Sequence, residues 1–276
     1  MPELPEVETV RRGLAERLTG RALVRVQQRR ADLRMPFPPR FAQRLQGRRV
    51  EALGRRGKYL LIRLDDGWIV VVHLGMSGRL IVGHGTPFAL GPHDHVVFHT
   101  DDDGHVIFQD SRRFGLMTLA REDALDRHPL LAVLGPDPLS NGFSGAVLAT
   151  ALAGRRTPLK SALMDQRIVA GLGNIYACES LFRGRLSPRR RAGTVTGARA
   201  ERLARAVQAV VDEAIAAGGS SIKDYVQASG ELGYFQHRFA VYDRAGEPCP
   251  GCDCGGGIRR IVQSGRATFY CPQRQR

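Results

Sequence analysis

A proline stands at position 2 of this chain and a glutamate at position 3. Loss of an initiator methionine before so small a residue leaves Pro2 with a free secondary amine. A terminal α-amino group titrates at about 7.7–8.0, so part of it is unprotonated at neutral pH. Attack of that amine on an anomeric carbon gives an iminium with no nitrogen proton to lose, which stays cationic and draws electrons. Glu3 is suited to donate or shuttle the proton such a reaction needs, and Glu6, one helical turn on, to orient the site through main-chain bonds. Locally the same residues also read as a helix start, with proline in the first turn and glutamates complementing the dipole.

Two other residue types carry chemistry. Lysine occurs only at Lys58, Lys160 and Lys223, among 41 basic residues that are otherwise arginine. Arginine offers a rigid fork for phosphate and guanine edges, lysine a point charge whose proton is tunable. In Arg55-Arg56-Gly57-Lys58 the lysine reads as a solvated basic turn or as a phosphate anchor that relays a proton. Four of the 5 cysteines, Cys249, Cys252, Cys254 and Cys271, crowd the C-terminal region. In a reducing compartment that points to a metal before disulfides. His93-Asp94-His95 offers a second pair of ligands but no third nearby.

A net charge of +14 and a pI near 10.5 imply attraction to a polyanion, with nucleic acid the first partner to consider and plain solubility the alternative. No N-terminal apolar stretch resembles a signal peptide, and the longest hydrophobic run, around Trp68 to Met76, is too short to span a bilayer. A cytoplasmic, monomeric protein with no membrane partner is expected.

The elements that must position these residues divide by periodicity. Val7, Val10, Leu14 and Leu18 share one helical face. From Leu23 to about Leu119, short runs such as Tyr59–Leu64, Trp68–His73, Val96–His99 and Val106–Gln109 alternate with Gly, Asp and Pro and predict a β-sandwich or barrel. Ala120 to Asn141 reads as a crossover. Ala146–Ala153, Pro158–Met164, Tyr176–Arg183 and Ala198–Ala217 show helical spacing, and Gly218 to Gly233 reads as a mobile loop. The spacing predicts a multi-domain α+β chain: a β-sandwich with a leading helix over residues 1–140, a helical domain over 141–240 and a cysteine-bearing segment over 241–276.

The run Met1-Pro-Glu-Leu-Pro-Glu-Val-Glu-Thr9, with Gly57-Lys58-Tyr59, His73-Leu-Gly-Met76-Ser-Gly, Asp110-Ser-Arg112-Arg-Phe114-Gly and Gly171-Leu-Gly-Asn174-Ile-Tyr176, closely resembles bacterial formamidopyrimidine-DNA glycosylases. The matches run in order to about residue 272. The spelling PELPE, where the sister endonuclease VIII branch more often has PEGPE, favours the oxidised-purine enzymes over glycosylases for oxidised pyrimidines. A catalytically silent DNA-binding protein is a third possibility.

That resemblance implies a bifunctional glycosylase and abasic-site lyase acting on damaged double-stranded DNA. Pro2 is then the Schiff-base nucleophile, Glu3 the proton donor in base removal and Lys58 the donor in β-elimination. Met76, Arg112 and Phe114 match the trio that fills the gap left by an extruded nucleotide, where apolar wedges offset the cost of unstacking and an arginine reads the orphaned cytosine. His93, Arg155 and Asn174 match DNA contacts, with Lys160 near the phosphate that Asn174 and Arg155 would grip. Met164 to Tyr176 resembles the family's helix-two-turn-helix, in which glycines let a phosphate approach backbone amides at a helix start. A dinucleotide fingerprint is excluded, because Tyr176 stands where its third small residue is needed. Gly218 to Gly233 corresponds to the loop that closes over the lesion, and it is expected to order only with DNA.

The family also carries a zinc-ribbon β-hairpin held by two Cys-x-x-Cys pairs, and here the chain departs from it. The interval from Cys254 to Cys271 matches, but Gly251 and Arg274 stand where the outer cysteines belong. Cys249, Cys252, Cys254 and Cys271 are expected to hold one structural zinc in a rearranged set, with a metal-free ribbon as the alternative. Arg266, at the hairpin tip, matches the arginine linked to δ-elimination.

Overall fold

The computed structural model describes residues 1–85, 89–220, 233–253 and 255–276. Contacts divide the chain into two compact units, Met1–Ala132 with Ala217–Tyr234 and Val133–Ala216 with Phe235–Arg276.

The first unit opens with α1 (Leu4–Leu18), whose Leu4, Val7, Val10, Leu14 and Leu18 are buried as the helical spacing requires. Its polar side is pinned as well. Glu8, itself buried, takes Arg11 at 2.8 Å, Arg12 at 2.9 Å and Arg55 at 3.3 Å. Burial pushes the Glu8 carboxyl up, but the bonds from Arg11 and Arg12 outweigh it and hold the pKa below the ordinary range.

Two four-stranded antiparallel sheets follow. One has the order β1 (Leu23–Gln28), β6 (Asp94–Thr100), β7 (Gly104–Gln109), β5 (Arg79–His84); the other β2 (Val50–Arg56), β3 (Tyr59–Leu64), β4 (Trp68–His73), β8 (Leu116–Arg121). A short helix α2 (Phe41–Leu45) lies between β1 and β2 in sequence. Leu14, Phe41, Leu60, Val72, Val96 and Phe108 belong to one shared core, which makes this a sandwich with its leading helix packed in. In β4, residues Ile69 to Val72 are all buried, so the strand reads as a continuous apolar run rather than an alternation.

In the second unit, α3 (Gly145–Leu152) is capped by the Ser144 hydroxyl, which accepts from Val147 N–H at 3.3 Å. It is followed by α4 (Leu159–Leu163), α5 (Asn174–Arg183), the long α6 (Gly197–Ala216) and a hairpin of β9 (Arg259–Gln263) and β10 (Arg266–Tyr270). Ser264 and Gly265 take φ of 49° and 73°, the two positive values a tight two-residue hairpin turn demands.

The contacts draw boundaries other than 140 and 240. The hairpin segment joins the helices because Ile258, Phe269 and Cys271 pack with Cys178, Phe182 and Val241. The stretch after α6 instead returns to the sandwich: Tyr234 N–H bonds Ala217 O at 3.0 Å, and Ser220 pairs with Tyr234. Between those ends, most of the loop expected to order over DNA lies outside the described residues. No helix among the described residues is long and apolar enough to cross a membrane.

Candidate functional site

At the chain start Pro2, Glu3 and Glu6 are all buried. Glu6 works as a double acceptor. One oxygen takes the Glu3 backbone N–H at 2.8 Å, the other the Ser220 N–H at 2.9 Å, so a single carboxylate fixes both the terminus and the base of the following loop. The α-amino group of residue 1 is held below the ordinary terminal range, first by burial and further by Lys58 and Arg112, against the raising pull of Glu3 and Glu6. Four of the residues singled out from sequence thus act on the terminal amine. Lys58 is buried rather than solvated, which removes the reading of Arg55–Lys58 as an ordinary surface turn.

Beside Lys58 in charge terms lies His73, at the end of β4. Burial, then Lys58 and Arg34, push its pKa down to about 4, so the ring is neutral at pH 7. Its Nδ1 accepts the Gly75 N–H at 2.9 Å and thereby starts the turn that carries Met76. Gly75 has φ of +64°, and a Cβ there would meet the Phe114 carbonyl carbon at 2.3 Å. The Met76 and Phe114 turns are therefore packed backbone to backbone, a closeness only glycine permits.

Asp110 joins those turns. It is fully buried; its Oδ1 accepts from the Ser77 hydroxyl at 2.5 Å and its Oδ2 from Gly115 N–H at 2.8 Å. Ser77 Oγ in turn accepts from Arg112 N–H at 3.3 Å, and Asp110 O meets His95 Nε2 at 2.7 Å. The result is a rigid platform with an apolar top. Met76 is 39% and Phe114 47% exposed, and the Arg112 guanidinium stands 5.7 Å from the Phe114 ring centre. Two large apolar side chains beside an arginine on a braced surface suit insertion between bases. His93 is exposed at the entry to β6, and its carbonyl accepts from Asp110 N–H at 2.9 Å. Asp110 and Ser77 carried no signal of their own in the sequence, beyond lying in Asp- and Ser-bearing turns.

In the second unit Asn174 opens α5 after Gly173, and Gly171 makes the turn with φ of +94°. Gln166 braces that turn, accepting from Gly171 N–H at 2.9 Å and donating to Leu172 O at 2.7 Å. The Asn174 amide does not simply project outward: its Nδ2 donates to Ala267 O at 3.0 Å on the hairpin. Lys160, read from sequence as a basic neighbour of the phosphate grip, is fully buried with Nζ 3.4 Å from the same carbonyl. Arg155 and Arg266 are exposed.

Sequence reading also missed Glu179, buried on α5. It accepts from the backbone N–H groups of Ala240, Val241 and Tyr242 at 2.9, 3.0 and 2.8 Å. Burial pushes its pKa up while those donors pull it down. An aromatic series, Tyr176, Phe235, Phe239, Tyr242 and Phe269, with successive ring centres 5.2–5.8 Å apart, then carries the segment onto β10.

Cys249, Cys252 and Cys271 converge, with ligand atoms all within 4.8 Å of one another. Cys252 Sγ lies 3.5 Å from Cys249 Sγ and 3.6 Å from Cys271 Sγ, close to the roughly 3.8 Å edge of a tetrahedron with about 2.3 Å zinc–sulfur bonds. The three thiols could hold a metal. Cys254, the remaining expected ligand, lies outside the described residues. Upstream of the hairpin the described thiols are Cys249 and Cys252, both within reach of Cys271. Arg274 donates to Gly251 O at 2.6 Å and stacks on Phe182 at 4.9 Å. A Cβ at position 251 would come within 2.7 Å of that guanidinium, so Gly251 leaves room for it.

A braced apolar platform beside a part-buried terminal amine, on a sandwich joined in sequence to a helix-two-turn-helix unit, defines a DNA glycosylase. The sequence matches the formamidopyrimidine-DNA glycosylase N-terminal domain over residues 1–117 and the H2TH domain of the same enzymes over 134–226. It is 62% identical over 290 aligned residues to the formamidopyrimidine-DNA glycosylase of Rhodospirillum centenum, covering 100% of both chains. The Fpg (MutM) crystal structure from Thermus thermophilus is similar with a TM-score of 0.86 at 42% identity, over 99% of this chain and 98% of that one. A Lactococcus lactis Fpg variant bound to DNA containing Fapy-dG is similar with a TM-score of 0.88 at 32% identity, over 100% of both chains. The chain belongs to the formamidopyrimidine-DNA glycosylase family.

Proposed function

We propose that this enzyme removes oxidised purines, 8-oxoguanine and formamidopyrimidines, from duplex DNA and then cuts the strand by β,δ-elimination. The observation that carries this reading is the terminal amine, part-buried and lowered in pKa within the field of Glu3, Glu6, Lys58 and Arg112. With Met1 removed, the terminal amine is the Pro2 nitrogen, in a buried residue beside Glu3. A terminal amine with an ordinary pKa of about 7.7–8.0 is partly unprotonated at neutral pH, as a nucleophile requires.

Pro2 N attacks C1′ of the extruded nucleotide and the C1′–base bond breaks, its electron pair leaving on the base, which takes up the proton shed by the Pro2 nitrogen. The nitrogen lone pair then breaks the C1′–O4′ bond as Glu3 protonates the ring oxygen, and the ring-opened sugar is a cationic iminium on Pro2. The C2′ proton passes to solvent, the enamine formed breaks the C3′–O bond, and the 3′ phosphate leaves with the electron pair, with Lys58 as the proton donor at the departing oxygen. A second elimination expels the 5′ phosphate, with Arg266 at that phosphate, and leaves a one-nucleotide gap. Met76 and Phe114 fill the vacated stack and Arg112 reads the orphaned cytosine. His93, Arg155 and Asn174 hold backbone phosphates. Zinc on Cys249, Cys252, Cys254 and Cys271 would supply no reaction chemistry; it would stiffen the hairpin that presents Arg266. The protein works as a cytoplasmic monomer.

The solved relatives bound to damaged DNA support the substrate class. Excision from otherwise identical duplexes tests it: 8-oxoguanine opposite cytosine should be released faster than thymine glycol, and Glu3→Gln should slow that release by about 10²–10⁴-fold. Faster release of thymine glycol would move the enzyme to the oxidised-pyrimidine branch.

A further inference from the structure

Of the arginines in the second unit, one group is absent from the roles assigned above. Arg189, Arg190 and Arg191 follow α5 and, with Ser187 and Thr194, line an open depression of about 480 Å³. The backbone stitches this segment to the one carrying Arg155 and Arg156. Gly193 N–H bonds Arg155 O at 2.9 Å, Ala192 N–H bonds Thr157 O at 3.0 Å, and Pro158 pairs with Arg191. Leu159 N–H bonds Arg190 O at 2.7 Å, so the same segment also seats the start of α4. Arginines 155, 156, 189 and 191 are exposed.

Among the described residues, none of these arginines forms an ion pair. Asp165, whose field reaches Arg155, is itself clasped by Arg167 at 2.7 and 2.9 Å. Arg190 is half-buried, and its Nε is fully buried with no hydrogen-bond acceptor among the described residues. The rest of the Arg190 side chain contributes to the lining of the depression, where a guanidinium favours an anionic oxygen.

We infer that Arg189, Arg190 and Arg191, continuous with Arg155 and Arg156, form a second phosphate-binding ridge that grips duplex DNA beyond the lesion. The inference rests on the duplex-binding reading above. Guanidinium forks match phosphodiester oxygens in geometry and charge. A hydroxyl- and arginine-lined depression suits a phosphodiester chain, whereas an acidic peptide would also need an apolar side chain to anchor on, and the lining residues Ser187, Arg189, Arg190, Arg191 and Thr194 include none.

Binding of the full chain to an undamaged duplex over a salt series tests this. Each phosphate contact contributes about 0.9 to the slope of log K against log salt. The Arg189→Ser/Arg191→Ser variant should therefore lose about 1.8 of that slope, while Arg189→Lys/Arg191→Lys keeps most of it. Single-turnover incision at saturating DNA should be unchanged in both. An unchanged slope in the serine variant, with wild type binding normally, overturns the ridge and leaves the enzymatic reading intact. Wild type that fails to bind duplex at all overturns that reading first. Loss of binding to a poly-glutamate peptide in the serine variant, with the DNA slope retained, makes the occupant an acidic protein segment and equally overturns the ridge.

Discussion

Around Met76 and Phe114 the backbone is fixed by buried groups with full hydrogen-bond duties: Asp110 on Ser77 and Gly115, and His73 on Gly75. Around Arg266 the hairpin is fixed by converging sulfurs, an aromatic series and the Arg274 clasp on Gly251 and Phe182. The first arrangement is directional and depends on protonation states. The second is mostly contact and polarisability. The difference teaches why one region keeps the family's spelling letter for letter while the other departs from it. A two-acceptor carboxylate has no substitute of the same shape, whereas the ribbon end is also held by the Arg274 guanidinium on Gly251 and Phe182.

The contrast breaks first at Asp110. Asp110→Ala leaves the Ser77 hydroxyl and the Gly115 N–H buried without their acceptor and should cost about 2–5 kcal/mol in urea unfolding. A loss below about 1 kcal/mol would mean the turns are held by packing alone. Chelation of metal, by contrast, should lower the stability of wild type and Asp110→Ala by equal amounts, because the two sites share no partner.

Acid probes the same region. The His73 pKa is depressed to about 4 from an ordinary 6.5. Between those values the unfolded chain binds a proton that the folded chain does not, so stability is full above about pH 6.5 and falls as pH drops towards about 4. Up to about 3 kcal/mol is at stake. Unfolding free energies across that range should show this slope in wild type and lose it in His73→Gln. Glu8 acts lower, since its folded pKa lies below the ordinary carboxyl value; its contribution is present above the ordinary range and lost in stronger acid.

The smallest effect is expected on the ribbon. Arg274→Ala removes a cation–π contact and one hydrogen bond and should cost about 1 kcal/mol. Restoring the family's residue with Arg274→Cys should raise zinc affinity; unchanged affinity would mean the existing thiols already close the site.

Much of the sandwich was legible because its strands are short apolar runs cut by turn residues: Tyr59–Leu64 and Trp68–His73 are β3 and β4 to the residue. The sandwich was legible too, but its strand order was not, since β1 pairs with β6, β5 with β7 and β4 with β8 across intervening strands. The candidate site was legible as spelling and hidden as mechanics. Pro2, Glu3, Lys58 and the Met76, Arg112, Phe114 trio stand out only as a set. The carboxylate that braces the trio is linked to Ser77 across 33 positions and looks like any turn aspartate. Lys160 misled for the opposite reason: a lysine among arginines suggests solvent and phosphate, yet it lies fully buried against the hairpin. In the cysteine segment three of the four thiols singled out by composition, Cys249, Cys252 and Cys271, come together, while Cys254 lies outside the described residues.

The central claim is that the amine of Pro2 becomes covalently joined to the sugar. Borohydride reduction during reaction with a duplex bearing 8-oxoguanine should trap a stable protein–DNA adduct with the native chain, and none with protein that retains Met1 or carries Pro2→Gly. An undiminished adduct from Met1-retaining protein would contradict the account outright.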